Sequence, residues 1–171
     1  NLDVGAPNAP ANKYYFDNIK LQIVTKGNTI PLTPEEKKEA LTRAMNNWIE
    51  GMMKATGGYV TTWDVVNEAI SGGGNDGEGF YVLQSASNAG ADAANNFYWQ
   101  DYLGSEDYVR IVVAAARKYY AENGGVKPLK LFINDYNLES TWDNNQKAKS
   151  LVHWIEKWES DGVTKIDGIG T

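Results

Sequence analysis

Residues 63–69, Trp63-Asp64-Val65-Val66-Asn67-Glu68-Ala69, decide the fold class of this chain. Apolar and β-branched residues lead into the pair Asn67-Glu68, and glycines at positions 72–74 follow shortly after. This pattern predicts a buried strand that ends on an amide and a carboxylate. Proteins in which strands and helices alternate present catalytic groups at this position, in the loop after a strand. Taken alone, the same residues also fit a strand-terminal glutamate that simply faces water.

The composition indicates one ordinary globular domain. The chain has 171 residues, of which 42% are hydrophobic and 12% aromatic. The net charge of -6 argues against a nucleic-acid partner, which would require a basic surface. The sequence contains no cysteine and a single histidine, so thiolate and multi-histidine metal sites are excluded. No apolar run is long enough to predict a membrane span.

The N-terminal part predicts one isolated strand. Residues 1–13 are rich in Pro, Gly and Asn, as loops are, and residues 14–24 have the alternation and β-propensity of a strand. A single strand needs a partner from elsewhere in order to be stable. The chain begins at Asn1 with neither an initiator methionine nor a visible signal peptide, and we interpret this start as a cut.

A helix with clear boundaries follows. Thr33 and Glu36 have the spacing of a capping box, Pro34 suits the first helical position, and the glycines at 57–58 end the helix. Its Met and Trp residues recur at helical spacing, and we expect this stripe, which includes Trp48 and Met52, to face the core.

Strands and helices then alternate to the end of the chain. We predict strands over residues 59–66, 129–134 and 165–169, a helix that Ser105 caps, and a helix over 143–160 with Val152 among its inward residues. The long connection over 71–104 is expected to pack against the protein through residues 97–102. Alternation of this kind predicts parallel βαβ units, either in a small open α/β sandwich or in part of a larger barrel.

Polar clusters follow two of the predicted strands. Asn67-Glu68 ends the first, and Asn134-Asp135-Tyr136-Asn137 ends the second. The carboxyl ends of parallel strands lie at one edge of the sheet, so we expect the two clusters to converge there. A carboxylate, several amides and a tyrosine suit a polyhydroxylated ligand. The single histidine, His153, lies in the middle of a predicted helix, and we interpret it as a packing or surface residue.

Three segments, residues 63–69, 131–139 and 166–171, resemble successive strand signatures of glycoside hydrolase family 10. Members of that family are retaining endo-β-1,4-xylanases built on a (β/α)₈ TIM barrel. The order and spacing of the motifs imply barrel strands four to six. The resemblance, which covers residues from about 30 to 171, therefore implies an α/β fold that is a segment of a TIM barrel, preceded by one strand derived from a β-sandwich.

The resemblance also assigns roles to individual residues. Glu68 resembles the family's general acid/base, and Asn67 resembles the amide that binds the 2-hydroxyl of the sugar at the cleavage site. Asn134, Tyr136 and Asn137 match the cluster that lines the sugar subsites beyond the scissile bond. The implied ligand is xylan or a xylo-oligosaccharide, with no metal and no cofactor. Trp63 and Asp64 belong to the first motif, where we expect them to support the barrel.

The family's nucleophile, a glutamate on strand seven, would lie beyond Thr171. Retaining chemistry needs a second carboxylate about 5 Å from the acid. Glu78, Asp135 and Glu139 are the loop carboxylates close enough in sequence to consider, and none has the expected position. We therefore expect a fragment that is inactive alone and whose partners are the remaining barrel segments of the same enzyme. The alternatives are a non-catalytic carbohydrate-binding or scaffold α/β domain and a small α/β enzyme with its own chemistry.

The N-terminal strand suggests a domain organisation. Residues 14–21 resemble the last strand of a carbohydrate-binding module of the kind that some xylanases carry inserted after barrel strand three. This implies the end of such a module over residues 1–25, a linker over 26–33 and the partial barrel over 34–171. The family's habit implies a bacterial protein that is secreted, periplasmic or at the cell surface.

Overall fold

The computed structural model describes residues 30–171, except for the side chain of Asp92. The predicted strand over 14–24, the module end over 1–25 and most of the predicted linker lie outside the described residues. Within the described range the elements are α1 (Pro34–Thr56), β1 (Thr62–Asn67), a 3₁₀ helix (Gly90–Ala94), α2 (Trp99–Leu103), α3 (Asp107–Glu122), β2 (Lys130–Asn134), α4 (Gln146–Glu159) and β3 (Gly168–Gly170).

The three strands form one parallel sheet in the order β1-β2-β3. The predicted α/β alternation with parallel strands is therefore confirmed. The register between β1 and β2 shifts between Asp64 and Val66, so that Val65 has no partner residue in β2. Beyond this bulge, Val66 lies opposite Ile133 and Asn67 lies opposite Asn134.

The two faces of β2 have different neighbours. Leu131 and Ile133 are fully buried and belong to one hydrophobic cluster with residues of α3 and α4, among them Val109, Leu151 and Trp158. The alternate residues, Phe132 and Asn134, point to the other face, where they stand over Gly168 and Gly170 of β3. Any side chain at either glycine would collide with them.

The capping box of α1 is confirmed. The Thr33 backbone N–H donates to the Glu36 carboxylate at 2.8 Å, and the Glu36 backbone N–H donates to the Thr33 hydroxyl at 3.2 Å. The helix ends at Gly57, whose φ of 53° is left-handed and therefore suits glycine.

The expectation that the whole Met and Trp stripe of α1 faces the core is wrong. Met45 and Met53 are buried, but Trp48 is 72% exposed and Met52 is 38% exposed. These residues line an open cavity of about 550 Å³ together with Trp63 of β1. Helical spacing identifies an apolar stripe but not which part of it is covered, and nothing in residues 32–171 covers Trp48.

Several predicted boundaries and facing residues also differ. Ser105 does not cap a helix; α3 begins at Asp107, and the Ser105 carbonyl instead accepts a hydrogen bond from the Trp158 indole at 2.8 Å. Strand β1 begins at Thr62, not at residue 59, because the glycines that end α1 form a turn and residues 59–61 after them lie in no helix or strand. In α4, Val152 is 46% exposed, since the buried face of that helix runs through Ser150, Leu151, Trp154 and Trp158.

The long connection over 71–104 is ordered, as expected for residues 97–102. It contains the 3₁₀ helix and α2, and Tyr98 and Leu103 are buried, whereas Phe97 and Tyr102 remain about half exposed. None of the helices in residues 30–171 combines the length and the apolar character needed to cross a membrane.

Candidate active site

The ends of β1 and β2 bring three of the predicted site residues together. Asn67 and Asn134 are partner residues in the parallel ladder. The Glu68 backbone N–H donates to the Asn134 carbonyl at 2.8 Å, which ties the residue after β1 to the last residue of β2. Asn67 and Glu68 are exposed, and Asn134 is half-buried over Gly170. An amide, a carboxylate and a second amide therefore lie side by side at the carboxyl edge of the sheet.

Glu68 has a left-handed backbone, with a φ of 53°. For a residue other than glycine this conformation costs about 1–2 kcal/mol. Hydrogen bonds on both sides hold it: the Asn134 carbonyl accepts from its N–H, and its own carbonyl accepts from the Gln84 side-chain amide at 2.6 Å. Backbone strain that the surroundings maintain is typical of functional positions.

Sequence reasoning missed Gln84, which belongs to the long connection after β1. Its backbone N–H donates to the Ala69 carbonyl at 2.8 Å, and its own carbonyl accepts from the Gln100 side chain. The connection thus turns back and supports Glu68 through its carbonyl, while β2 supports it through its N–H. The segment has no periodicity from which this return path could have been predicted.

Asp135, between Asn134 and Tyr136, is buried and ion-paired. One carboxylate oxygen lies 2.7 Å from the Lys147 ammonium and also accepts from the Tyr136 N–H at 3.0 Å. The other oxygen accepts from the Ile70 N–H at 2.9 Å. Lys147 donates in addition to the Tyr136 carbonyl at 2.9 Å. Sequence reasoning missed this pair because a lysine at a helix start is usually a surface residue.

Tyr136 and Asn137 lie in the loop after β2, and both are exposed. The Lys147 ammonium lies 3.5 Å from the centroid of the Tyr136 ring, within cation–π range. Asn137 has a left-handed φ of 61°, and its carbonyl accepts from the Ser140 N–H in a tight turn. Asp135 links Tyr136 to the end of β1 through Ile70. All five predicted site residues therefore lie at the same edge of the sheet.

A cavity of about 490 Å³ opens beside Asn67 and Glu68. Its polar lining includes Gln84 and Gln100, and its apolar wall includes Tyr108. The Tyr108 hydroxyl is buried without a hydrogen-bond partner among the described residues. Burial, and then the nearby Asp135 carboxylate, raise the pKa of Tyr108, so this phenol remains protonated at neutral pH. Amides, a carboxylate and aromatic rings around one cavity suit a ligand with many hydroxyl groups.

The glycine-rich loop that follows Glu68 is fastened to α4. Gln146 donates to the Gly79 carbonyl at 2.8 Å, and the Ser150 hydroxyl accepts from the Tyr81 N–H at 2.8 Å. The Trp154 indole donates to the Tyr81 carbonyl at 2.9 Å. These side chains lie on one face of α4, so the helix holds the loop along its length.

An ionic cluster of Asp76, Glu78, His153 and Lys157 holds the tip of this loop. The His153 imidazole lies 2.9 Å from the Asp76 carboxylate and stacks on Phe80, with ring centroids 3.9 Å apart. Desolvation raises the pKa of Asp76, but backbone N–H groups of Glu78 and Phe80, then His153 and Lys157, outweigh it and lower the pKa to about 2.

The same cluster could supply metal ligands, because ligand atoms of Asp76, Glu78 and His153 lie within 4.8 Å of one another. Lys157, however, lies 2.8 Å from the Glu78 carboxylate and 3.5 Å from that of Asp76. Its ammonium already pairs with both carboxylates, and Glu78 holds the pKa of Lys157 above its usual value. The donor set therefore fits an ion-pair clasp better than a cation site.

The three loop carboxylates that sequence reasoning considered beside Glu68 are engaged elsewhere. Asp135 pairs with Lys147, and Glu78 pairs with Lys157. The carboxylate of Glu139 accepts a hydrogen bond from the Thr171 hydroxyl at 3.0 Å. Their contacts thus tie all three to structural partners.

Comparison with known proteins identifies the family. The model of glycosyl hydrolase family 10 matches residues 26–171. Endo-1,4-beta-xylanase A of Halalkalibacterium halodurans is 32% identical over 142 residues, which are 83% of this chain and 28% of that protein. A thermostable celloxylanase of Thermoclostridium stercorarium is 30% identical over 142 residues, 83% of this chain and 30% of that one.

Solved structures agree in fold. Xylanase B from Clostridium stercorarium F9 superposes with a TM-score of 0.56 at 25% identity, over 81% of this chain and 34% of that one. A mutant protein in complex with xylotriose gives 0.55 at 25% identity, over 77% and 32%. The chain thus spans about a third of the length of each of these four proteins. Its parallel α/β fold is a segment of a (β/α)₈ barrel, and the chain belongs to glycosyl hydrolase family 10.

Proposed function

We propose that this chain is a piece of a retaining endo-1,4-β-xylanase, which carries the general acid/base Glu68 and receives the nucleophile from the rest of the barrel. One observation carries the proposal: the exposed Glu68 follows β1 directly and lies beside Asn67 and Asn134 at the carboxyl edge of the sheet. This is the edge at which barrel enzymes of this architecture place their active sites. Relatives that are named xylanases support the substrate class.

In this mechanism the protonated Glu68 gives its proton to the glycosidic oxygen while the nucleophile attacks the anomeric carbon. The Glu68 carboxylate then takes a proton from the water that hydrolyses the glycosyl-enzyme. Asn67 donates to the 2-hydroxyl of the sugar at the cleavage site, an interaction that strengthens towards the transition state. Tyr136 and Asn137, with Asn134, line the subsites on the leaving-group side.

The nucleophile comes from outside this chain in our proposal. The loop carboxylates Glu78, Asp135 and Glu139 have structural partners, which supports a source elsewhere. Strands β1, β2 and β3 would then be the fourth to sixth barrel strands, and the exposed edges of β1 and β3 would pair with neighbouring strands of the same enzyme. A secreted, periplasmic or cell-surface location belongs to the same proposal, as does the assignment of residues 1–25 to the end of an inserted carbohydrate-binding module.

Reconstitution tests the proposal. The chain is combined with a polypeptide that supplies the missing barrel strands of the family, and hydrolysis of xylan is measured. We expect no hydrolysis by either part alone and hydrolysis by the mixture. Activity of the chain alone would contradict the role of an external nucleophile. Xylo-oligosaccharide binding by a reconstituted barrel that never hydrolyses would favour a non-catalytic binding domain.

A variant of Glu68 separates its role from that of a nucleophile. In the reconstituted barrel, Glu68→Gln should slow xylan hydrolysis by about 10²–10⁴-fold, the usual contribution of a general acid. The first step should slow much less on an aryl xyloside whose leaving group needs no proton. Glu122→Gln, an exposed glutamate at the end of α3, is the matched control. Equal losses on both substrates would argue that Glu68 is not the acid.

A further inference from the structure

Three segments of the chain meet at the single carboxylate of Asp135. It accepts from Ile70, two residues after Glu68, and from Tyr136 in the loop after β2, and it pairs with Lys147 of α4. The exposed fractions of the Asp135 and Lys147 side chains are 0% and 5%. The pair therefore lies inside the protein, directly behind the edge of the sheet that carries the site.

A buried ion pair is a poor source of stability, because desolvation of the two charges offsets most of their attraction. Its geometry, in contrast, is strongly defined. Lys147 contacts the Asp135 carboxylate at 2.7 Å, the Tyr136 carbonyl at 2.9 Å and the Tyr136 ring centroid at 3.5 Å. One ammonium thus holds both the backbone and the ring of Tyr136, which is 52% exposed.

We propose that Asp135 and Lys147 are positioning residues that fix the exposed Tyr136 ring relative to the strand end that carries Glu68. Asp135 holds that strand end by accepting a hydrogen bond from the Ile70 N–H, and Lys147 holds the ring through its cation–π contact. The Tyr136 ring, held in this way, provides a flat binding surface for one sugar ring of a β-1,4-linked xylo-oligosaccharide beside Glu68. The ligand class rests on the proposed function, whereas the geometric role does not.

A charge-neutral double variant tests the role apart from stability. Single replacement of Lys147 would leave Asp135 buried and unpaired, which is strongly destabilising. D135N/K147M removes both charges, keeps an oxygen that can accept from Ile70 and keeps most of the length of the Lys147 side chain. We expect it to unfold near the temperature of the wild-type chain. K149M, which changes an exposed lysine of the same helix, is the control.

The measurements use the full chain, labelled for NMR, and xylotriose as the probe. In D135N/K147M we expect the signals of Glu68 and Tyr136 to broaden through conformational exchange. The dissociation constant for xylotriose should rise about tenfold, as expected when a binding side chain is no longer held before binding. Unchanged signals and unchanged affinity in a well-folded double variant would overturn the proposal.

A second measurement does not depend on the folding of that variant. In the wild-type chain, the ε-protons of Lys147 should lie upfield of those of the other lysines, because they sit over the Tyr136 ring. This shift should vanish in Y136L, which leaves the buried pair intact. Lys147 protons without an upfield shift would contradict the positioning role. If the shift is present but wild-type chain does not bind xylotriose, the geometric role stands and the proposed ligand class fails.

Discussion

Asn134 depends on the absence of a side chain at Gly170. Its amide stands over that glycine in the neighbouring strand, so a Cβ at position 170 would overlap the amide oxygen. We predict that Gly170→Ala displaces Asn134 and lowers the free energy of unfolding by about 1–3 kcal/mol, the usual cost of overpacking. Urea unfolding, followed by Trp fluorescence, measures the change.

Gly51 is the matched control for this substitution. It lies within α1, and a Cβ built there meets no atom within 4 Å. Gly51→Ala should raise the free energy of unfolding by about 0.5–1 kcal/mol, because alanine loses less backbone entropy in a helix. Equal effects of the two substitutions would show that Asn134 does not fill the space at Gly170.

At the residue scale, the sequence predicted the site residues that directly end a strand, but it did not predict the residues from distant segments that hold them in place. Asn67, Glu68 and Asn134 were predicted to converge because each directly ends a strand of a parallel sheet. Gln84 and Lys147 contact the same region from 16 residues after Glu68 and from the start of α4. Their roles depend on the path of the chain, and no local pattern in the sequence records that path.

Helix α1 owes part of its stability to its N-terminal cap. The Thr33 hydroxyl and the Glu36 carboxylate satisfy two backbone N–H groups that have no partner inside the helix. We predict that Thr33→Ala lowers the free energy of unfolding by about 1 kcal/mol. Thr33→Ser keeps the hydroxyl and should leave it nearly unchanged. Similar losses in both variants, measured by thermal unfolding, would contradict the capping role.

The clasp between α4 and the loop after Glu68 should weaken in acid. The pKa of Asp76 is about 2 in the folded chain, below the ordinary value of 3.8. The ionised carboxylate therefore stabilises the fold above about pH 4, and this contribution is lost as the pH falls through about 2. Asp76→Asn removes the titrating group while keeping an oxygen that can accept from Glu78 and Phe80.

The difference in unfolding free energy between wild type and Asp76→Asn isolates this group from the other acids. We expect wild type to be the more stable protein at pH 5–7 and the difference to shrink steadily as the pH falls from about 4 towards 2, because the Asp76 carboxylate is then increasingly protonated. Urea unfolding at a series of pH values gives the curve. A difference in unfolding free energy that stays constant down to pH 2 would contradict a pKa of about 2 for Asp76.

At the element scale, boundary signals in the sequence were accurate for one helix and misleading for another. Thr33, Pro34 and the glycines at 57–58 marked α1 correctly. Ser105 gave a false signal, because its carbonyl serves Trp158 and the helix starts two residues later. In α4, Val152 and Trp154 both fit an apolar stripe, and only the packing against the loop shows that Trp154 is the buried one.

Residues 32–171 have an apolar surface, between α1 and β1, that none of them covers. Trp48 and Met52 of α1 and Trp63 of β1 line the cavity of about 550 Å³, and β1 and β3 are edge strands within residues 32–171. Exposed apolar patches and open sheet edges favour association. We predict that the isolated chain forms oligomers at micromolar concentration, which sedimentation velocity would detect.

Trp48→Ser should shift this equilibrium towards the monomer, since Trp48 is 72% exposed and its removal costs little packing. Val163→Ser, at an apolar residue that is 82% exposed in a loop, is the control. Equal oligomer fractions in both variants would place the association surface elsewhere. The alternation of strands and helices predicted the parallel sheet of residues 30–171, but the burial of each face depends on neighbours that periodicity does not specify.

The bulge at Val65 decides what the end of β1 presents. Because Val65 has no partner in β2, Asn67 falls opposite Asn134 and shares its side of the sheet. In a strand without the bulge, Val66 would occupy that position, and Asn67 would turn to the face where Leu131 and Ile133 are packed. The bulge, and not only the composition of β1, thus decides that a polar residue faces the cleft. The same seven motif residues, paired without the bulge, would put a valine at the rim of the cleft in place of an amide.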